Sequence, residues 1–382
     1  MSNHEPDWHP LDELMRGDNR VVYDRLREIC PVAYSDSFGW SVFRHRDVVE
    51  ILLDSSRFSN SVSRHLSIPN GLDPPEHTVY RRIVERYFEP ERMKEFEPCC
   101  RQLARKSVRA LVTQGEADAM EDFARPFAAQ VQCAFLDWPS RLSDILMDWM
   151  ARNREATRSG DRKTLEEVAR QFEGYVREIL AERLKGSVSQ RDVTASLLKE
   201  KVNGHPLTEE ELVSILRNWT AGEVGTIAAS VGILVHFLAT EKQWTETLRE
   251  QPELIPPVID EVLRIDGPLA SNRRVTRCPV TLGGRKISTG ERLSINWIAA
   301  NRDGTVFPQP DQVRVDRDPQ MNLLYGAGIH VCPGAPLARM ELRLVVEELL
   351  AQSRLIALES QPVRAVYPAS GYEALPVQII PS

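Results

Sequence analysis

Hydrophobic residues recur every three or four positions through the middle of the chain, which is the spacing of one face of an α-helix. This pattern predicts four helices, at residues 92–112, 122–136, 141–154 and 165–184. The last helix ends at Gly186 and has an apolar stripe of Leu165, Val168, Phe172, Val176 and Ile179. Such stripes are typical of core packing, so the chain is expected to be mainly α.

A longer apolar helix is predicted after this region. Thr208 and Glu211 have the spacing of a capping box, and the hydrophobic pattern continues to about Ala239. Near the amino end, shorter helices are expected at 19–30 and 47–53. Pro256 and Pro257 suit the start of another helix.

Short alternating stretches predict a small β region. Residues 32–35 and 40–43 flank a glycine-containing turn and predict a hairpin. A strand-rich stretch begins at Ser271, and Gly283 and Gly284 predict a second hairpin turn. Residues 59–75 predict a loop. Because no linker and no internal repeat interrupts the chain, residues 1–382 are expected to form a single domain.

Composition and charge exclude some classes of function. The chain has 382 residues and a net charge of −7, from 55 acidic and 48 basic residues, which gives no nucleic-acid footprint. No apolar run is interpreted as a membrane span, and the polar start lacks a signal-peptide core, so a cytoplasmic location without membrane contact is predicted. Five cysteines follow no zinc or disulfide spacing: Cys30, Cys99, Cys100, Cys133 and Cys278.

The sixth cysteine has a different setting. Cys332 follows Gly326 and Gly328, precedes Gly334, and stands just before a helix predicted by the spacing of Leu337, Glu341, Leu344, Val345 and Glu348. Glycines let the backbone turn tightly around a sulfur, and free N–H groups at a helix start favour the thiolate. A thiolate held in this way can be the axial ligand of haem iron. A buried cysteine in a glycine turn is the plainer alternative, which the spacing of five special residues disfavours.

The order Tyr325-Gly-x-Gly-x-His-x-Cys-x-Gly334 closely resembles the haem-binding signature of the cytochrome P450 family. Tyr325 stands where that family usually has Phe. The resemblance implies the cytochrome P450 fold, mainly α with a small β region, and haem b between the long middle helix and the cysteine loop. It makes Cys332 the iron ligand and places the cofactor-binding residues of the loop at Tyr325, Gly326, His330 and Gly334.

Further matches to the family concern the haem propionates. His77 and Arg81 are one helical turn apart after Asp-Pro-Pro-Glu, where the family binds propionates, although such a pair alone is more often a solvated face. Arg274 matches the propionate arginine, and His330 a propionate-binding histidine. Asn322 stands where bacterial members often have His, which leaves that contact in doubt.

The long middle helix resembles the oxygen-activating segment of the family, Ala-Gly-x-acid-Thr-Thr, but departs from it. Ala221 and Gly222 match as haem contacts, whereas Val224 and Gly225 occupy the places of the acid and the first threonine. Glu223 lies one residue early and Thr226 one late; they are the predicted catalytic pair, three apart on one face. Two interpretations stay open: Glu223 is an ordinary paired or solvated carboxylate, or a kink or π-bulge restores an acid–hydroxyl pair.

Two other features match the family. Glu261 and Arg264 share a helical face and are expected to brace the core together with Arg317. Residues 149–184 look short for the helix–loop–helix lid of the family, which predicts a differently roofed pocket.

The resemblance implies a monooxygenase that inserts one oxygen atom of O2 into an organic substrate. Electrons are expected from a separate ferredoxin and its NAD(P)H-dependent reductase, docking on the Cys332 side, where Arg339 and Arg343 add positive charge. Two alternatives remain open. One is peroxide-driven or non-oxygenating chemistry such as coupling or dehydration, and the other is a haem-bound sensor without turnover.

The predicted substrate pocket is mostly apolar and suits a small or medium hydrophobic molecule. Its candidates are Val62, Leu66, Ile68, Thr220, Ala221, Val224, Leu269, Ala270, Ser271 and Tyr372. Arg64 or His65 could pair with a substrate carboxylate, although solvated loop positions are the plainer interpretation.

Overall fold

The computed structural model describes residues 5–14, 18–63, 65–185 and 192–382, so Arg64 and Gly186 lie outside the described residues. Helices form most of the chain, and the predicted hairpin is present as β1 and β2 in antiparallel register, with Val32 opposite Val42. The first third consists of α1 Pro10–Glu13, α2 Asn19–Ile29, β1 Val32–Ser35, β2 Gly39–Val42, α3 His45–Leu53, β3 Phe58–Ser59 and α4 Glu76–Glu85.

The middle of the chain is helical, as predicted. Its elements are a 3₁₀ turn Arg86–Phe88, α5 Pro90–Gln114, β4 Glu116–Asp118, a π-helical turn Ala119–Ala124, α6 Arg125–Phe135, α7 Leu142–Ser159, α8 Arg162–Lys185, α9 Val193–Leu197, β5 Lys201–Val202 and β6 His205–Pro206. The helix predicted to end at Arg154 continues to Ser159.

A two-residue turn, Gly160 and Asp161, joins α7 to α8. Gly160 ends α7 with a φ of +67°, in the left-handed region that favours glycine. The side chain of Asp161 accepts from the backbone N–H of Lys163 and from the Thr164 hydroxyl, and so caps the start of α8. No longer loop is needed between these two helices.

The long middle helix is α10, Glu209–Thr240, and the capping box of Thr208 and Glu211 is present. It is α-helical throughout, so the π-bulge considered around residue 224 does not occur. By length and composition α10 could cross a membrane, which differs from the expectation that no apolar run is that long. However, 67% of its most apolar window is buried inside the protein, as in the core helix of a globular fold.

The last third supplies the sheets and the helix after Cys332. Its elements are α11 Lys242–Glu250, a 3₁₀ turn Pro252–Leu254, α12 Ile255–Ile265, β7 Ser271–Thr276, β8 Val280–Leu282, β9 Arg285–Ile287, β10 Arg292–Asn296, α13 Trp297–Asn301, 3₁₀ turns Pro319–Met321 and Gly328–His330, α14 Ala335–Gln352, β11 Ser353–Leu358, β12 Val363–Arg364, β13 Tyr372–Ala374 and β14 Pro376–Pro381. The largest sheet has the order β1-β2-β10-β7-β3.

A buried ion cluster braces the sheet side, as expected. The Arg264 guanidinium is completely buried and donates to both carboxylate oxygens of Glu261, at 2.7 and 3.1 Å. Arg317 donates to the same carboxylate at 3.0 Å. Because each buried charge has a partner, this cluster can fix α12 against the loop that leads to Cys332.

Candidate active site

The Cys332 loop, residues 324–334, has a backbone that only glycine fits at one position. Gly326 and Gly328 have φ values of +73° and +70°. A Cβ on Gly328 would lie 2.5 Å from the carbonyl oxygen of Leu52 at the end of α3. The Cys332 N–H donates to the Tyr325 carbonyl at 2.8 Å, which closes the loop and presents the sulfur. The glycine spacing in the sequence therefore follows from the turn.

The Cys332 thiol keeps accessible surface although protein encloses it. Burial raises its pKa, and nearby Glu223 raises it further, whereas the N–H groups of Gly334 and Ala335 at the start of α14 lower it. These N–H groups favour the thiolate at this position. A metal bound to the sulfur would do so much more strongly.

The centre of α10, residues 220–226, borders the same space. Ala221 and Gly222 are exposed, although most neighbouring positions of this core helix are buried. A Cβ on Gly222 would meet nothing within 4 Å. A surface whose only side chain is the Ala221 methyl therefore lies near the cysteine, as the approach of a porphyrin face requires.

Four nitrogen-bearing side chains converge from three elements: His77 and Arg81 of α4, Arg274 of β7, and His330 of the Cys332 loop. The two imidazole rings lie 4.2 Å apart between centroids, and each has a buried Nε2 without a partner among the described residues. Burial lowers the pKa of Arg274 to about 10, and a nearby charge, Asp73, only partly offsets this.

The four basic side chains repel one another when they are charged, and two carboxylates placed between them would remove this repulsion. Burial lowers the pKa of His330 to about 3, and His77, Arg274 and Arg81 add to this effect. Arg81 has one partner, Glu85, at 2.7 Å. A thiolate, a bare helix face and clustered donors together fit haem with its two propionates.

A second acid faces Glu223. Glu341 of α14 has no exposed surface, and neither of its carboxylate oxygens has a hydrogen-bond partner of normal geometry among the described residues. The two carboxyl groups lie within reach of each other, and burial raises both pKa values, that of Glu341 well above its ordinary range. Two carboxylates so placed cannot both be charged, so the pair holds a proton. Its sequence signal was a glutamate within the apolar pattern of the helix after Cys332.

Thr226 and Gly225 show how the altered segment packs. The Thr226 hydroxyl donates to the carbonyl oxygen of Gly222 at 2.6 Å, one turn back in the same helix. A Cβ on Gly225 would lie 3.1 Å from the terminal methyl of Met150 on α7. The space over the usual threonine position is therefore filled from the lid, which the sequence of α10 alone could not indicate.

Several predicted pocket residues point elsewhere. Thr220 is fully buried, donates to the Leu216 carbonyl and accepts from Gln132 of α6. Val224, one turn later, is buried in the main core. These two therefore lie on the packed face of α10, because a four-residue spacing keeps them on one side of the helix.

Tyr372 is also away from the others. Its ring stacks on that of His236, with 4.7 Å between the ring centroids. His236 lies sixteen positions after Thr220 on α10, which places the two residues roughly 24 Å apart along the helix. It lines a separate cleft of about 640 Å³ with Arg20 and Arg364. The expectation that Tyr372 contacts substrate therefore does not fit its position.

The remaining pocket candidates lie on two loops. Leu66 and Leu269 are 43% and 39% exposed, and Val62 and Ser271 are half-buried. Ile68 and Ala270 are buried, and His65 is exposed. Ser214 of α10 accepts from the Ile68 N–H at 2.9 Å and donates to the Leu66 carbonyl at 3.0 Å, which fastens the first loop to the helix.

Asn322 and Tyr325 are the two residues of this region that depart from the family motif, and the contacts of both are defined. Asn322 donates to the Asp260 carbonyl and accepts from the Leu324 N–H, so it fixes the loop rather than a propionate. The Tyr325 hydroxyl is buried without a partner among the described residues, and the Arg339 guanidinium lies 4.6 Å from its ring centroid. Tyr325 thus replaces Phe at the cost of one unpaired hydroxyl.

Comparison with known proteins agrees with this geometry. Residues 133–371 match the family model described as cytochrome P450. Vitamin D(3) 25-hydroxylase of Pseudonocardia autotrophica is 30% identical over 94% of this chain and 93% of its own length. Mycinamicin IV hydroxylase/epoxidase of Micromonospora griseorubida is 30% identical over 92% of each chain.

A solved structure extends the likeness to the fold. CYP109E1 from Bacillus megaterium, in complex with testosterone, has a TM-score of 0.84 and 26% identity, covering 95% of this chain and 99% of that one. This chain belongs to the cytochrome P450 family and is a haem b monooxygenase of hydrophobic substrates.

Proposed function

We propose that Cys332 ligates the haem iron and that His77, Arg81, Arg274 and His330 hold the propionates. The convergence of these four side chains beside the bare face of Ala221 and Gly222 carries the proposal. Tyr325, Gly326 and Gly334 would form the wall on the sulfur side. Haem b, when bound, supplies the activation of O2. The protein supplies binding, orientation and protons.

The test of the ligand is Cys332→Ser, with Cys278→Ser as the matched control. A thiolate ligand gives the reduced carbon-monoxide complex a red-shifted absorption band. We expect Cys332→Ser to lose that band and Cys278→Ser to keep it. A retained band in the Cys332 variant would refute this ligand and the proposed site.

We also propose that Glu223 and Glu341 hold one of the two protons that each turnover consumes when the second oxygen atom of O2 leaves as water. Glu341 is completely buried, and Glu223 on the facing helix is the carboxyl group within the described residues that can share a proton with it. The Thr226 hydroxyl donates its hydrogen to the Gly222 carbonyl, so a relay requires that this hydrogen bond break: the oxygen then accepts a proton from the acid pair while its own hydrogen passes on. Proton delivery would run from the acid pair to Thr226.

Glu223→Gln tests this role. The amide keeps the size of the side chain but cannot transfer a proton in the same way, so we expect slower turnover with a flatter dependence on pH. Glu210→Gln, at the exposed start of the same helix, is the control. An unchanged pH profile in Glu223→Gln would mean that protons arrive by another path.

One observation favours peroxide-driven chemistry as a second candidate. Gly225 offers no hydroxyl, and the Met150 methyl occupies the space above it. The proton path near the usual threonine position is therefore weaker than in the family motif. The ratio of NAD(P)H consumed, O2 consumed and product formed separates the two, because only the monooxygenase needs one of each per product.

For electron supply we propose a ferredoxin and an NAD(P)H-dependent ferredoxin reductase, docking on the Cys332 side. Arg339 pairs with Asp260 at 3.0 Å, and Arg343 with Glu97 and Glu347. These cations are thus partly neutralised, and an acidic partner would compete with Asp260 for Arg339. Arg339→Gln should weaken ferredoxin binding, so that a higher ferredoxin concentration is needed to reach half of the maximal electron-transfer rate. An unchanged concentration dependence would exclude Arg339 from the docking surface.

We keep two broader expectations as proposals. One core cluster includes buried residues from Ile68 to Ile379, which supports a single domain over residues 1–382. The relatives described above are bacterial enzymes, which supports a cytoplasmic location. Cell fractionation with an antibody against the chain would test the location.

A further inference from the structure

Met150 of the lid helix α7 lies against Gly225 at the centre of α10. Met147, Met150 and Arg154 follow one another at spacings of three and four residues, so they share a face. Met150 belongs to the main core, and its terminal methyl is the nearest atom to the Cβ position of Gly225. The same face therefore presents an apolar surface over the reaction site and an arginine one turn beyond it.

Arg154 has no hydrogen bond and no ion pair within the described part of the chain. Its nearest charged groups are Arg125, Glu373 and Glu121. Both glutamates already pair with Arg125, the Glu373 carboxylate at 3.1 Å. Burial is the main cause that lowers the pKa of Arg154, and the charge of Arg125 lowers it further. A half-buried guanidinium in such surroundings lacks a counter-ion.

The other two arginines of α7 differ in this respect. Arg152 donates to Gln171 at 2.7 Å, and Arg158 pairs with Glu155 at 2.5 Å. Arg217 of α10, on the loop side of the site, is fastened to the Leu66 carbonyl at 2.6 Å and lies near Glu173. Within α7, Arg154 is thus the arginine whose guanidinium is open to a ligand.

We propose that Arg154 binds the carboxylate of the substrate, and that the enzyme therefore oxidises hydrophobic carboxylic acids. This inference rests on the proposed function. A planar guanidinium forms two parallel hydrogen bonds with a carboxylate, which fixes its orientation as well as its position. Met150, which lies between Arg154 and Gly225, would contact the hydrocarbon part. The carbon that reacts then lies away from the acid group.

A probe that ligates the haem iron makes the test independent of the natural substrate. ω-Imidazolyl alkanoates of increasing chain length bind iron through the imidazole, and the shift of the haem absorption band reports their affinity. Each acid is compared with its primary amide in the holoenzyme. At the chain length that reaches Arg154 we expect the acid to bind at least about tenfold more tightly, because a charge-assisted hydrogen bond contributes that much or more.

Variants assign the preference to one side chain. Arg154→Gln should abolish the preference for acid over amide and leave amide affinity unchanged, whereas Arg154→Lys should keep part of it. Arg158→Gln removes the same charge from the same helix and should keep all of it. Soret absorbance and thermal unfolding confirm that each variant is folded and haem-loaded.

Three outcomes would overturn the inference. They are equal affinity for acid and amide at every chain length, a preference that survives Arg154→Gln, and equal losses in Arg154→Gln and Arg158→Gln, which would indicate long-range charge alone. Failure of the proposed function looks different. In that case free imidazole would produce no haem band shift, and the carbon-monoxide complex would lack the thiolate band.

Discussion

The Cys332 loop and the centre of α10 border the same site, but different physical constraints determine their residues. In the loop, backbone geometry decides: Gly328 has a φ of +70° and faces the Leu52 carbonyl, so another residue cannot fit. In the centre of α10 the backbone is an ordinary helix, which accepts many residues. There the decisive partners arrive from other elements, Glu341 from α14 and Met150 from α7.

This difference separates what binds the cofactor from what tunes the reaction. A constraint on the backbone is local, so it leaves a motif that a single sequence displays. A constraint from side-chain packing depends on residues that are far apart in the sequence, and substitutions on one side can be compensated on the other. We therefore expect changes in the loop to cost the haem and the fold, and changes in α10 to alter proton delivery while leaving the haem in place.

The largest effect is expected from Gly328→Ala. A Cβ there would lie 2.5 Å from the Leu52 carbonyl in a left-handed conformation, which should cost about 3 kcal/mol of folding free energy and most of the bound haem. Gly284→Ala is the matched control, because its φ is +80° but nothing lies within 4 Å of the new Cβ. Thermal unfolding and Soret absorbance per protein measure both. Equal losses would show that φ alone, and not the contact with α3, constrains the loop.

Arg274→Ala should have the next largest effect. Arg274 is 5% exposed and has no carboxylate partner within hydrogen-bond distance among the described residues, so it is available to a propionate. Removing it should weaken haem binding by about 2 kcal/mol, since it removes a charge-assisted contact. Arg273→Ala, at the exposed neighbouring position, should change haem dissociation little. Haem transfer to apomyoglobin gives the rates, and equal rates in both variants would exclude Arg274 as a propionate ligand.

The sequence predicted these two regions to different depths. Glycines, the cysteine and the arginine at fixed spacings indicated the loop, the haem and the fold, because each reflects a requirement of local geometry or charge. The capping box of Thr208 and Glu211 was predicted for the same reason. The brace of Glu261 and Arg264 was implied by the resemblance to the family, because that spacing alone is common.

The positions of Thr220, Val224 and Tyr372 could not be predicted in this way. Whether a residue of a helix faces a pocket or a neighbouring helix depends on the rotation of that helix, and one residue changes it by about 100°. Gln132 of α6 donates a hydrogen bond to the Thr220 hydroxyl, and His236, far along α10, stacks on Tyr372. Glu341 and Arg154 were each a charged residue within an apolar stripe, which is a usable signal, but their neighbours were not visible in the sequence.

Glu341→Gln should have a smaller effect than the two preceding variants. It should raise the folding stability rather than lower it, and the gain should depend on pH. Burial and Glu223 raise the pKa of Glu341 well above the ordinary value of 4.5. As pH rises above 4.5 the unfolded carboxyl loses its proton while the folded one keeps it, so the parent loses stability until the folded pKa is passed. The neutral amide avoids this loss, so the variant should gain about 1 kcal/mol relative to the parent as pH rises toward neutrality.

Thermal unfolding of the holoenzymes across this pH range measures the difference. Glu348→Gln is the control on the same helix, because Glu348 pairs with Arg105 at 3.2 Å and its loss should lower stability at neutral pH. Parallel curves for Glu341→Gln and the parent would mean that Glu341 is not protonated in the folded protein. The centre of α10 would then lack the shared proton on which its proposed role depends.

The smallest effect is expected from Thr226→Val, which keeps the shape of the side chain and removes the hydroxyl. Because that hydroxyl donates to the Gly222 carbonyl at 2.6 Å, it can relay a proton between the acid pair and the reaction site only when this hydrogen bond breaks and its own hydrogen is released. We expect the product formed per NAD(P)H to fall about two- to threefold, a barrier change of roughly 0.5 kcal/mol, with haem content and substrate affinity unchanged. Thr240→Val is the matched control, since the Thr240 hydroxyl donates to the His236 carbonyl at the far end of the same helix.

If Thr226→Val lost haem as well, the centre of α10 would be a structural part of the cofactor site, and the contrast with the Cys332 loop would not hold. If coupling were unchanged, the acid pair would deliver its proton without Thr226, and the altered segment would have replaced the family's hydroxyl step altogether.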